Sequence, residues 1–165
     1  MNLVPLGIGA AGLLLLLSAR KSRGAIPPPP ELHELTITSS GLPNNPPPEL
    51  YPALARLAHV IEVMRAELGT VQILSAYRSP EVNEKVGGVP TSLHLEGRAL
   101  DFRLGNPTAT RELWNLWVSD PARVRGFLQE AILYEGISPR IHMGLATPGE
   151  SPQIYFGHKD SLGKG

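Results

Sequence analysis

From Glu49 onward, apolar residues recur with the spacing of regular structure. Leu50, Leu54, Leu57, Ile61, Met64 and Leu68 follow one another at steps of three and four. That spacing lays a single apolar stripe along a helix, and Gly69 is the residue type that ends one. Val71-Gln72-Ile73-Leu74 reads as a strand, Pro80 to Val86 as a short helix opened by proline in its first turn, and Gly87-Gly88-Val89-Pro90 as a loop. Ala99 to Leu104 alternates as a strand does. Thr108 to Ala131 predicts two helices broken at Asp120-Pro121, with Leu113, Leu116, Trp117, Val124, Phe127 and Leu128 facing inward. Ile132-Leu133-Tyr134, Arg140 to Met143 and Gln153 to Phe156 predict further strands. This order of elements, without internal repeats, describes an α+β domain over 49–165, long enough to bury its own core.

Two stretches ahead of Glu49 break the pattern. Leu3 to Ala19 carries no charged side chain and as a helix would rise about 25 Å, a little short of a ~30 Å hydrocarbon core. Arg20, Lys21 and Arg23 follow it, whereas a cleavable secretory signal puts its positive charges first. Residues 1–23 therefore predict an apolar membrane anchor or signal with a basic flank, and the uncleaved anchor matches better. The alternative is a buried or oligomer-forming helix, in which Gly7, Gly9 and Gly12 would let helices approach closely. An anchored protein would sit in a cell envelope or virion membrane. The basic flank would favour the cytoplasmic side for the rest of the chain, which conflicts with any substrate outside the cell. Residues 24–48, with Pro27 to Pro30 and Pro46 to Pro48, predict a Pro-rich linker.

Composition narrows the chemistry. The 165 residues include 17 prolines and 17 glycines, but eight of the prolines fall between Pro27 and Pro48, so neither collagen nor global disorder is implied. With no cysteine, disulfides, thiolate zinc sites, iron–sulfur clusters and cysteine nucleophiles are excluded, and any metal must sit on imidazole and carboxylate. Residues 1–26 hold three basic and no acidic side chains, leaving 12 basic against 15 acidic in 27–165. No run in the globular part offers a phosphate-binding patch, so nucleic acid is not an expected partner.

His94 lies in Thr91-Ser92-Leu93-His94-Leu95-Glu96-Gly97-Arg98-Ala99-Leu100-Asp101, and His142 in a later strand-like piece. Zinc that keeps one open position takes three protein ligands, and His94, Asp101 and His142 would supply them. Spacing alone does not establish this, since a lone His or Asp is more often a surface or hydrogen-bonded residue. The run from Ser75 to Phe102 adds context. It contains Ser75-Ala76-Tyr77-Arg78-Ser79, then Asn83, Gly87-Gly88, Ser92-Leu93-His94 and Gly97-Arg98-Ala99-Leu100-Asp101, and it closely resembles the signature of the zinc D-Ala-D-Ala carboxypeptidase and peptidoglycan L,D-endopeptidase family. That family shares its metal site with the hedgehog signalling domain and includes phage endolysins. The resemblance is strongest over 73–103 and weaker from about 50 to 145.

The resemblance implies a small hedgehog/DD-peptidase-like domain with a central antiparallel sheet flanked by helices. It implies Zn2+ on His94, Asp101 and His142, with Arg78 facing the active site to polarise a carbonyl or hold a substrate carboxylate; the bland alternative for Arg78 is a salt bridge, for instance to Glu81. Ser92 and Tyr77 would support the metal loop. The implied reaction is hydrolysis of peptide bonds in peptidoglycan stem peptides or cross-links, as a D,D-carboxypeptidase or endopeptidase, in a phage lysis or entry enzyme among other settings. Loops near 105–110 and 144–152 would set which bond is cut. One part of the pattern is missing: relatives commonly carry an acid three residues before the last zinc histidine, and here that position is Pro139. Glu135 is the preferred substitute base, with His158 and Glu150 further candidates. The alternative function is a zinc-binding structural component of a virion or envelope that has lost turnover.

Overall fold

A buried apolar stripe and a five-stranded sheet organise the chain, and a computed structural model describes residues 29–150 and 152–160 of it. Helix α1 spans Pro29–Thr36. A 3-10 turn, Pro48–Leu50, leads into α2, Tyr51–Leu68, which buries Leu54, Leu57, Val60, Ile61 and Met64 and ends at Gly69. Strand β1 is Val71–Ser75. The short helix α3, Pro80–Lys85, is capped by Ser79, whose hydroxyl accepts from the Val82 N–H. Strand β2 is Ala99–Leu104. Helix α4 spans Pro107–Ser119, with the Asn106 side chain accepting from the Ala109 N–H. Strands β3, β4 and β5 are Leu128–Glu135, Arg140–Leu145 and Tyr155–Asp160.

The sheet order is β1-β2-β4-β3-β5. Three pairings are antiparallel, but β5 runs parallel to β3, so the expected antiparallel sheet is in fact mixed at one edge. The chain leaves β4 and crosses over through 146–154 instead of turning back in a hairpin. Leu100, Phe102, Leu104, Ile141, Met143, Leu145, Ala131 and Leu133 share one core with the apolar stripes of α2 and α4. The rings of Phe102 and Trp117 lie 6.3 Å apart, and those of Trp114 and Phe156 meet edge to face at 5.8 Å. These helices therefore cover one face of the sheet.

The second expected helix, from Pro121 toward Ala131, does not form. Pro121–Arg123 is a 3-10 turn and Gly126 takes φ 76°, which a right-handed helix cannot contain. Strand β3 starts at Leu128, and its partly exposed Glu130, Ile132 and Tyr134 alternate with buried Ala131 and Leu133.

Within the stretch expected to be a linker, residues 29–48 are folded against the domain. Leu32 and Leu35 of α1 enter the core. The Asn44 amide donates to the carbonyls of Thr36 and Tyr77, each at 2.9 Å, and its oxygen accepts from the Ser79 N–H at 2.7 Å. A proline-rich composition masked two buried leucines and one asparagine that ties three segments together.

Membrane anchoring, expected from the N-terminal sequence, is not sustained. Among the described residues no helix is long and apolar enough to cross a membrane. The apolar segment 3–19 and its basic flank lie outside the described residues.

Candidate metal centre

Strand alternation aims the site residues away from the helices. In β2, Leu100, Phe102 and Leu104 go to the core, which leaves Asp101 and Arg103 on the opposite face. In β4, Ile141 and Met143 do the same and leave His142 there, directly opposite Asp101 in the register. His94 arrives on the loop before β2. Gly97, at φ 65°, turns that loop so that its own N–H reaches the His94 carbonyl and the Arg98 N–H the Leu93 carbonyl, and a Cβ at 97 would lie 3.0 Å from Leu54.

The three side chains converge. One ligand atom each from His94, Asp101 and His142 lies within 4.8 Å of the others, and the two imidazole centroids are 5.0 Å apart. His94 is only 2% exposed. Its Nδ1 is 2.5 Å from the Ala76 carbonyl, which can only accept, so Nδ1 carries the proton and Nε2 presents a lone pair. That Nε2 is buried without a hydrogen-bond partner, 3.3 Å from Asp101 Oδ1. A buried lone pair beside a carboxylate is what a cation would satisfy. His142 Nδ1 lies 2.7 Å from Asp101 Oδ1, and its Nε2 lies 3.0 Å from Glu130 Oε1. A ring held between two acceptors must carry a proton on each nitrogen or have a cation in place of one of them. The donor set thus fits a metal ion bound by His94 Nε2, Asp101 and His142 Nδ1, with Glu130 orienting the second imidazole from outside.

The electrostatics agree. Burial alone would raise the Asp101 carboxyl, but the contacts of the carboxylate, foremost the hydrogen bond from His142, hold it well below the usual carboxylate range. Burial likewise opposes charge on His142, yet the carboxylates of Asp101 and Glu130 push the ring up to about 9. The hydrogen bond from His142 also keeps Glu130 below its ordinary value.

Other expected residues fall in different places. Arg78 forms a salt bridge, but with Asp101 Oδ2 at 2.5 Å and not with Glu81; its Nε donates to Ser75 Oγ at 2.8 Å. It fixes the far oxygen of Asp101 and leaves Oδ1 for the imidazoles. Ser92 Oγ accepts from the His94 N–H at 3.4 Å. The Tyr77 ring is in the core and its N–H donates to the Leu35 carbonyl, so it supports the loop from behind. Glu135 is not brought to the trio. It alternates with Tyr134 along β3, and its carboxylate is 2.6 Å from the guanidinium of Arg111 on α4, with His158 Nε2 at 3.8 Å on its other oxygen. Glu150 lies in an exposed turn, and Pro139 is buried beside β4.

The carboxylate that does reach the site is Glu130, which the helical reading of Thr108 to Ala131 concealed. Its path depends on Gly144: a Cβ there would come within 2.9 Å of Glu130 Cγ and 2.4 Å of Leu93. The alternation of Glu130, Ile132 and Tyr134 against Ala131 and Leu133 was the available signal.

The sequence profile of the peptidase M15 family matches residues 31–129, more than half of the chain. The chain belongs to this family. A comparison with curated proteins finds no match. The peptidase M15 match begins inside α1, in keeping with the folded state of residues expected to be a linker, and it includes His94 and Asp101. It stops one residue before Glu130, so His142 and Glu130 join the site on geometry alone.

Proposed function

We propose that this protein is a zinc-dependent peptidase acting on peptidoglycan peptides, cutting stem peptides or cross-links as a carboxypeptidase or endopeptidase. The observation that carries this reading is the buried, unpartnered Nε2 of His94 beside Asp101 and His142. Zinc held there would supply the Lewis acidity that makes water nucleophilic near neutral pH and polarises a peptide carbonyl. The chain's own residues do the rest. The Ala76 carbonyl fixes the His94 tautomer, and Arg78 locks Asp101 through its outer oxygen. Glu130 accepts from His142 Nε2–H and so orients the ring; as the further acid in contact with the trio, it is in this reading the group that would take up the proton released by water and return it to the leaving amine. It takes the part that Pro139 cannot play and that Glu135, bound by Arg111, is not placed to play.

Purified cell-wall sacculi incubated with the zinc-loaded protein should release new amino groups, and chelator should stop the release. Tight stoichiometric zinc without release would favour instead a structural zinc protein that has lost turnover. Glu130→Gln keeps an acceptor for the His142 N–H while removing the base. It should retain zinc and lose about 100- to 1,000-fold in kcat; full activity would restrict Glu130 to orienting the ring.

A further inference from the structure

The sheet face that carries the metal trio continues into a second row of side chains. In the register, Asp101, His142, Ile132 and Gly157 oppose one another across β2, β4, β3 and β5. Two residues further along the strands, about 7 Å away, Tyr134 opposes Arg140 on one side and Lys159 on the other. Arg103 stands two residues beyond Asp101 on β2. The Arg140 guanidinium lies 4.3 Å from the centroid of the Tyr134 ring, and Lys159 Nζ lies 5.6 Å from it. Arg103 donates from Nε to Gln72 at 2.6 Å and from one terminal nitrogen to Ser138 Oγ. Among the described residues, no carboxylate lies within 4.0 Å of any of these three cations. The acids that do occupy this face, Asp101 and Glu130, are both engaged by imidazoles. A row of three unmatched cations in a region with 15 acidic and 12 basic side chains is a local inversion of charge beside the reaction centre.

We propose that Arg103, Arg140 and Lys159 form a subsite for a carboxylate of the substrate, so that the enzyme prefers peptides with a free carboxylate one to two residues from the bond cleaved. An extended peptide advances about 3.3–3.6 Å per residue, which matches the separation of the two rows. Stacking on Tyr134 holds the Arg140 guanidinium by its face and leaves its N–H edge for a planar carboxylate. The inference rests on the peptidase reading above and specifies which of its peptides bind well.

The test compares soluble muropeptides with free carboxylates against the same muropeptides amidated with carbodiimide and ammonia. Binding is measured by calorimetry and turnover by chromatography, on the zinc-loaded full chain. Wild type should bind the free acids about 5- to 10-fold more tightly than the amides. Arg140→Gln should reduce that ratio to within about twofold, with zinc content unchanged and the loss in KM and not kcat; Arg140→Lys should restore part of the ratio. Added salt should narrow the wild-type preference. Equal binding of acids and amides by wild type, or an unchanged ratio in Arg140→Gln, overturns the subsite. Should a misfolded Arg140→Gln obscure the result, Lys159→Gln reads the same ratio. Absence of turnover by wild type would instead count against the peptidase reading, while the binding ratio would still decide the subsite.

Discussion

The two faces of the sheet are built by the same strands and do opposite work. On the helix-covered face, Leu100, Phe102, Ile141 and Met143 are at most 1% exposed and any one of them could be exchanged for another apolar side chain of similar volume at modest cost. On the other face the polar atoms are given directions: Asp101 divides its oxygens between Arg78 and the imidazoles, His142 divides its nitrogens between Asp101 and Glu130, and His94 Nε2 is left without a partner. Period-two alternation is what allows one strand to serve both, because a single-residue slip would send Asp101 into the core and Phe102 into the site. The difference teaches that stability here resides in the back face and chemistry in the front face, with little shared between them.

That separation can be broken from either side. His94→Ala removes one of the three proposed metal ligands and should lower hydrolysis of muropeptides by at least ~1,000-fold and abolish stoichiometric zinc. Zinc-free melting temperature should fall only modestly, since loss of the Nδ1–H bond to the Ala76 carbonyl and the small cavity are partly offset by removal of a buried nitrogen that had no partner. Phe102→Ala attacks the other face. It leaves a cavity against Trp117 and should cost about 3–5 kcal/mol in denaturant unfolding, while the folded fraction still binds zinc. If Phe102→Ala abolished zinc binding in the folded fraction, the two faces would be coupled and the comparison would fail.

Gly144→Ala probes a place where the front face depends on an absent side chain. The new methyl would press on Glu130 and Leu93. Overpacking of this kind costs about 1–3 kcal/mol, and displacement of Glu130 should lower kcat by about 10- to 100-fold with zinc retained. Unchanged kcat beside a crystallographic shift of Glu130 would show that this carboxylate takes no part in proton transfer.

The sequence made much of this legible where one element carries its own signal. The stripe from Leu50 to Leu68 and the alternation at Ala99 to Leu104 are local patterns, and both elements form where the pattern places them. The Ser75 to Asp101 motif pointed to His94 and Asp101, because the order of its residues along the chain is itself specific, and these two do converge with His142. What was hidden depended on partners distant in sequence. Whether Glu130 or Glu135 faces the trio is decided by the pairing of Ile132 with His142, which no reading of Thr108 to Ala131 as helix could contain. The folding of α1 rests on Asn44 reaching Thr36, Tyr77 and Ser79, contacts that a proline-rich composition gives no reason to expect.

That arm offers the smallest effect and a clean sign. Glu34 on α1 pairs with Arg65 on α2 at 2.5 Å, and the hydrogen bond from Arg65 holds the Glu34 carboxyl below its ordinary value. A carboxyl whose folded pKa is depressed contributes stability above its unfolded pKa, about 4.3, and loses it as pH falls through the folded value. Glu34→Gln should therefore be less stable than wild type at pH 7, and the two should converge as the pH drops below about 4. Because both partners are partly open to solvent, at 45% and 32%, the difference at pH 7 should stay under about 1 kcal/mol and shrink with salt. A larger loss would mean that charge, and not the burial of Leu32 and Leu35, docks this arm on the helix-covered side, and electrostatics would then have to be counted in the stability of the apolar face as well.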